Sequence, residues 1–219
     1  MIIKDYMTKH PVMISPTMSI VEVQNIMAET KVRHLPVIGE GKRLVGLITQ
    51  ETLRIPPTKL TSLNVWEITR YLSNLTAKDL MVKGKDVITI DQDITIEEAA
   101  RVMVEHKIGC LPVLNEGIVV GIITDTDLMA HLMEMLDAPE NSVRVTMRMS
   151  TARGELARLV AAISAQGWGI WALGGVFSPK DPNKWEAVFK ISDAPKAQVV
   201  AALSKIEGQE IIDVREVKR

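Results

Sequence analysis

Gly121-Ile122-Ile123-Thr124-Asp125-Thr126-Asp127-Leu128 is the stretch that decides how this chain is read. It has the form of a buried strand running straight into a helix start. Gly121 carries no side chain and lets another group approach the backbone closely. Ile122 and Ile123 are strand residues. Thr124 and Asp127 then place a hydroxyl and a carboxylate three residues apart where the strand ends. A helix N-terminus offers free N–H groups and partial positive charge, which suit a phosphate. A neighbouring carboxylate suits the paired hydroxyls of a ribose. The plainer reading is that Thr124 or Asp127 caps the helix that follows.

The stretch has a counterpart in Gly46-Leu47-Ile48-Thr49-Gln50-Glu51-Thr52-Leu53. Upstream of the two, Met27 and Met103, Leu35 and Leu111, and Pro36 and Pro112 each stand 76 residues apart. The first part of the chain is therefore an internal duplication. Each copy runs extended segment, helix, x-Leu-Pro-Val strand, strand, turn and helix. Ser19-Ile20-Val21-Glu22 and Thr95-Ile96-Glu97-Glu98 are capping boxes at equivalent places in the copies. Ile20, Val23, Ile26 and Met27 in one copy, and Ile96, Ala99 and Met103 in the other, each make one apolar helix face. This order resembles the CBS domain over roughly the first 135 residues, and two such domains in tandem resemble a Bateman module.

The remainder of the chain has a different pattern. Asp137-Ala138-Pro139-Glu140-Asn141 is polar, contains proline, and reads as a domain boundary. Val143, Val145, Met147 and Met149 alternate as in a half-buried strand. Leu156, Leu159, Val160 and Ile163 form a helix face. Strands are expected over 169–177 and 185–191, a helix after Pro195 carrying Val199, Val200 and Leu203, and a last strand over 210–217. The order βαββαβ is ferredoxin-like. The tail resembles the ACT domain, with Gly154 at the family's turn glycine and Gly169-Ile170 opening the second strand. The residue before that turn glycine is proline in the family and Arg153 here. Two readings stay open: an amino-acid site, or a dimerising or packing domain.

Between the copies, Thr61-Ser62-Leu63-Asn64-Val65-Trp66-Glu67 leads into a helix expected to dock through Leu63 and Trp66. With the tail, this stretch resembles the bacterial acetoin-utilisation accessory proteins. The expected fold class is α+β, a CBS-domain pair followed by a ferredoxin-like, ACT-like domain. The expected divisions are 1–58 for the first repeat, 59–75 for the linker helix, 76–136 for the second repeat and 142–219 for the ACT-like domain.

A hydrophobic content of 47% with 24% charged residues belongs to a folded chain. A net charge of -1 provides no broad attraction to nucleic acid or anionic membrane. The first residues form no signal-peptide core, no apolar run spans a bilayer, and a cytoplasmic location is expected. The single cysteine, Cys110, excludes an internal disulfide and reads as a buried thiol.

Catalysis finds no support: there is no zinc-type Cys/His spacing, nucleophile elbow or P-loop. His10, His106 and His131 read as loop or helix-surface residues. His34 follows Arg33 just before Leu35-Pro36-Val37. The family resemblance implies that basic residues here reach a nucleotide phosphate; otherwise they are a solvated pair. Their repeat partners, Gly109 and Cys110, are not basic. The carboxylate of Asp127 is likewise matched by Thr52, which cannot accept two ribose hydroxyls. One site is therefore expected, built on the second repeat and completed by the first. Its contacting set is Val12, Arg33, His34, Gly109, Ile122, Thr124, Thr126 and Asp127. The resemblance implies AMP, ADP, ATP or S-adenosylmethionine as a regulatory ligand, with no catalytic cofactor and no metal. The expected partners are a second copy in a homodimer and a regulated enzyme. The other readings are an assembly protein with a vestigial site, or an accessory subunit in acetoin or acyl-CoA metabolism.

Overall fold

Two reciprocal caps start the main helices of the repeats, α2 (Ile20–Thr30) and α5 (Ile96–His106). The computed structural model describes residues 1–54 and 64–217. Ser19 Oγ accepts from Glu22 N at 3.2 Å, and Glu22 Oε2 accepts from Ser19 N at 3.1 Å. Thr95 and Glu98 repeat this at 3.2 and 2.8 Å. The helices bury Ile20, Val23 and Met27, and Ile96, Ala99 and Met103. Both run out on a lysine in the left-handed region, Lys31 at φ 55° and Lys107 at φ 54°.

In the first repeat α1 (Ile3–Tyr6) and β1 (Thr8–Lys9) precede α2, and β2 (His34–Ile38) and β3 (Leu44–Thr49) follow it. The linker carries α3 (Val65–Asn74). In the second repeat α4 (Ala77–Leu80), β4 (Val82–Lys83) and β5 (Ile90–Asp91) precede α5. β6 (Cys110–Asn115), β7 (Ile118–Thr124) and α6 (Asp125–Met135) complete it.

The repeats exchange their leading segments. β1 pairs with β7, Thr8 opposite Ile122 and Lys9 opposite Gly121. β4 pairs with β3, Gly46 opposite Lys83 and Leu47 opposite Val82. The resulting sheets run β1-β7-β6-β5 and β2-β3-β4. Ile3 is fully buried in the second repeat's core, beside Ile90, Leu111 and Ile123. Ala77 is fully buried in the first repeat's core, beside Val23, Leu35 and Ile48. Leu47 of one sheet packs on Cys110 and Ile122 of the other. The side chain of Met7 lies over Gly121, and that of Met81 over Gly46; a β-carbon on either glycine would collide with the methionine sulfur. Trp66 is 80% exposed, so its side chain is not the buried anchor expected of it. Leu63, the other expected anchor, lies outside the described residues.

The chain divides into two compact units, Met1–Met129 and Ala130–Arg219. The second unit contains β8 (Val143–Ser150), α7 (Glu155–Ser164), β9 (Gly169–Ser178), β10 (Asp181–Ser192), α8 (Lys196–Leu203) and β11 (Glu210–Glu216). Its sheet runs β11-β8-β10-β9, all antiparallel. Among the described residues, none of these strands joins a sheet of the first unit. Val143, Val145, Met147 and Met149 all point into the core with Phe189, Leu159 and Leu203. Gly154 starts α7 at φ 91°, a conformation that a side chain disfavours. On the sheet, Arg148 bridges Glu186 at 2.9 Å and Glu210 at 3.1 Å.

Candidate functional site

β7 delivers Thr124 to the start of α6, and the first turn of that helix is stitched by its own side chains. Asp127 Oδ2 accepts from Thr124 N and from Thr124 Oγ1, each at 2.8 Å. Asp127 N donates back to Thr124 Oγ1 at 3.2 Å. Thr126 N donates to Asp125 Oδ1 at 2.7 Å, and Asp125 N to the carbonyl of Gly109 at 3.0 Å. The first N–H groups of α6 are therefore satisfied internally. This corrects the expectation that the helix start presents free N–H groups to a phosphate: two acidic residues in that turn, Asp125 and Asp127, already occupy it.

A cavity of about 380 Å³ opens beside this turn. Ile122, Thr124, Thr126 and Asp127 line it from the second repeat, and Val12, Arg33 and His34 from the first. Arg33 Nη2 approaches Thr126 Oγ1 at 3.4 Å, so the guanidinium crosses from one repeat to the other. Seven of the eight expected residues share this cavity. The eighth, Gly109, does not line it and faces a second cleft. It stands just before β6, and Oδ2 of Asp125 would lie 3.1 Å from a β-carbon on it.

His34 is not a second cation. Burial pushes its pKa below the ordinary 6.5, the adjacent Arg33 charge pushes it further down, and Asp125 opposes only in part. The imidazole is neutral at pH 7, and the positive charge expected of the pair rests on Arg33. Five wall residues were not among those expected at the site: Thr8, His10, Pro11, Lys31 and Val32. Thr8 and Lys9 pair with β7, and this carries His10 into the cavity. The signal for it was the extended segment leading each repeat, whose partner strand could not be chosen from spacing.

The second cleft, of about 600 Å³, is built on the first repeat's turn and includes Thr49, Thr52, Gly109 and Cys110. Thr52 Oγ1 accepts from Thr49 N at 3.0 Å and donates to Thr49 O at 2.9 Å. Its only proton is spent, so this turn has a cap and no carboxylate. Cys110 is buried, and desolvation with the nearby Asp125 charge pushes its thiol up to about 12. It is not a nucleophile at neutral pH. Among the described residues, no group of three His, Cys, Asp or Glu side chains could hold a metal. No described helix is long and apolar enough to cross a membrane.

The family model described as CBS domain matches residues 3–55 and 77–134. An uncharacterized protein of Methanocaldococcus jannaschii, MJ1225, is 32% identical over 137 residues, 59% of this chain and 46% of its own length. The chain thus spans less than half of that relative. The crystal structure of a putative acetoin utilization protein (AcuB) from Vibrio cholerae aligns with a TM-score of 0.51 at 27% identity, covering 61% of this chain and 91% of that chain. A crystal structure of CBSX2 in complex with AMP aligns with a TM-score of 0.51 at 24% identity, covering 61% and 96%. At that identity the likeness is one of fold.

Proposed function

The chain belongs to the CBS-domain family, and we propose on that premise that it is a regulatory sensor of an adenosyl ligand with no reaction of its own. The candidate ligands are AMP, ADP, ATP and S-adenosylmethionine. The observation that carries this reading is the cavity in which Asp127 and Thr124 of one repeat face Arg33 of the other. Asp127 Oδ2 is engaged by Thr124, while among the described residues Oδ1 makes no hydrogen bond and is available to ribose hydroxyls. Arg33 supplies charge for a phosphate. Ile122 and Val12 supply apolar walls for a base. Adenine is inferred from the family; the residues by themselves support only a ribose-phosphate ligand.

A ligand seated there touches both repeats and favours one placement of the first against the second. In this reading the second unit is a ferredoxin-like, ACT-like domain, its strand order supporting the assignment, and it transmits the change to a dimer mate or a regulated enzyme. The divisions 1–58, 59–75, 76–136 and 142–219 follow from the same reading, as does a cytoplasmic homodimer. The likeness to the Vibrio cholerae protein supports a role as an accessory protein of acetoin metabolism.

The vestigial-site reading has an observation of its own in favour: Asp127 has a structural job as the partner of Thr124 in capping its helix. Native purification followed by mass spectrometry of bound small molecules separates the two, with calorimetric titration of AMP and S-adenosylmethionine into the emptied protein. Micromolar binding of either supports the sensor. A protein that carries and binds neither, and that light scattering finds dimeric, is the assembly protein.

A further inference from the structure

We propose that the phosphate arm of the ligand runs past Arg33 into a third cleft, and that the site therefore selects nucleoside di- and triphosphates over the monophosphate. The inference rests on the sensor reading and adds the class of ligand.

The third cleft measures about 580 Å³ and lies on the first repeat between the end of α2 and the turn after β3. Lys31, Arg33 and Arg54 line it with the amides of Gln24 and Gln50, and among its described lining residues there is no carboxylate. It shares Lys31, Val32 and Arg33 with the cavity that holds Asp127. The two adjoin at these residues: Asp127 lies in the first, and the third adds Arg54 to the Lys31 and Arg33 that both share.

The second cleft offers the contrast. It also borders Arg33 and Arg54, but there Glu51, Asp86 and Asp125 balance Arg33, Arg54 and Lys107. A polyanion leaving Asp127 past Arg33 meets a balanced wall on that side and an uncompensated one on the other. Each added phosphate brings further negative charge, and the guanidinium of Arg54 and the ammonium of Lys31 match it with charge-assisted hydrogen bonds. S-adenosylmethionine has the opposite fit, because its sulfonium would stand among these cations.

The test is calorimetric titration of adenosine, AMP, ADP and ATP into the full chain, repeated with Arg54→Ala, Arg54→Lys and Lys107→Ala. ATP is expected to bind about tenfold more tightly than AMP, with ADP between. Arg54→Ala should bring the AMP and ATP constants together. Arg54→Lys should keep most of the difference, and Lys107→Ala, on the balanced wall, all of it. Equal constants for AMP and ATP in the parent overturn the proposal while leaving the sensor reading intact. So does a difference that survives Arg54→Ala. Failure of adenosine, of every nucleotide and of S-adenosylmethionine to bind overturns the sensor reading itself.

Discussion

Asp127 takes both of the hydrogen bonds that Thr124 can direct at it, from the amide and from the hydroxyl, on a single carboxylate oxygen. One side chain therefore has two jobs that can be separated. Thr52, at the matching place in the first repeat, does the capping job with a hydroxyl alone. Asp127→Ala is expected to lower stability by about 1 kcal/mol through loss of the cap and to weaken AMP roughly tenfold to a hundredfold. Asp127→Thr should keep the melting temperature near that of the parent and lose the ligand. Thr52→Ala should cost about 1 kcal/mol and leave AMP binding in place. Thermal melts beside calorimetry read both quantities; a silent Asp127→Ala with a non-binding Thr52→Ala would place the site on the wrong repeat.

Arg33 reaches across to Thr126, yet it bonds no carboxylate among the described residues. Its removal should spare the fold and cost phosphate recognition. Arg33→Ala is expected to weaken AMP by about tenfold and to leave adenosine unchanged. Raising the salt should narrow the gap between parent and variant for AMP alone. Equal losses for AMP and adenosine would mean that the guanidinium holds the cavity's shape rather than the phosphate.

His34 gives the folded state a pH dependence of known sign. Its pKa is lowered by burial and by Arg33, so below the ordinary value of 6.5 the unfolded chain takes up a proton that the folded chain refuses. Its penalty is absent above pH 6.5 and grows as the pH falls toward the depressed folded value. Urea unfolding of the parent should show stability declining from pH 7 to pH 5, and His34→Gln should flatten the part of that slope due to this residue. Identical slopes in the two proteins would remove His34 as the source.

Gly121 has a packing requirement beyond its place in the strand, because Met7 from the exchanged segment lies where a β-carbon would point. Gly121→Ala is expected to destabilise by about 1–3 kcal/mol, the usual cost of overpacking. Met7→Ala also destabilises, but the double variant should lose less than the sum of the two single losses, since the collision is gone. Denaturant melts of the four proteins measure the coupling, and strict additivity would argue against the contact.

What lies close along the chain was legible. The capping boxes at Ser19 and Thr95, the apolar helix faces, and the alternation from Val143 to Met149 all follow from residues three or four apart on a helix or two apart on a strand. The inequality of Asp127 and Thr52 was visible for the same reason, since each acts on a threonine three residues before it.

The choice of partner strand was decided only in the tertiary structure. The segments around Met7 and Met81 are near-equivalent, and so are the strands around Gly46 and Gly121; no local rule says which goes with which. The fold sends Thr8 to Ile122 and Val82 to Leu47. That exchange brings His10 and Val12 to Asp127, while Gly109 turns into the other cleft. The protonation of His34 was hidden in the same way, because burial and neighbouring charge belong to the packed cavity and not to the dipeptide Arg33-His34. Short-range hydrogen bonds and periodicity are written in the chain's order, whereas pairing between duplicated elements depends on which long-range packing buries Ile3 and Ala77.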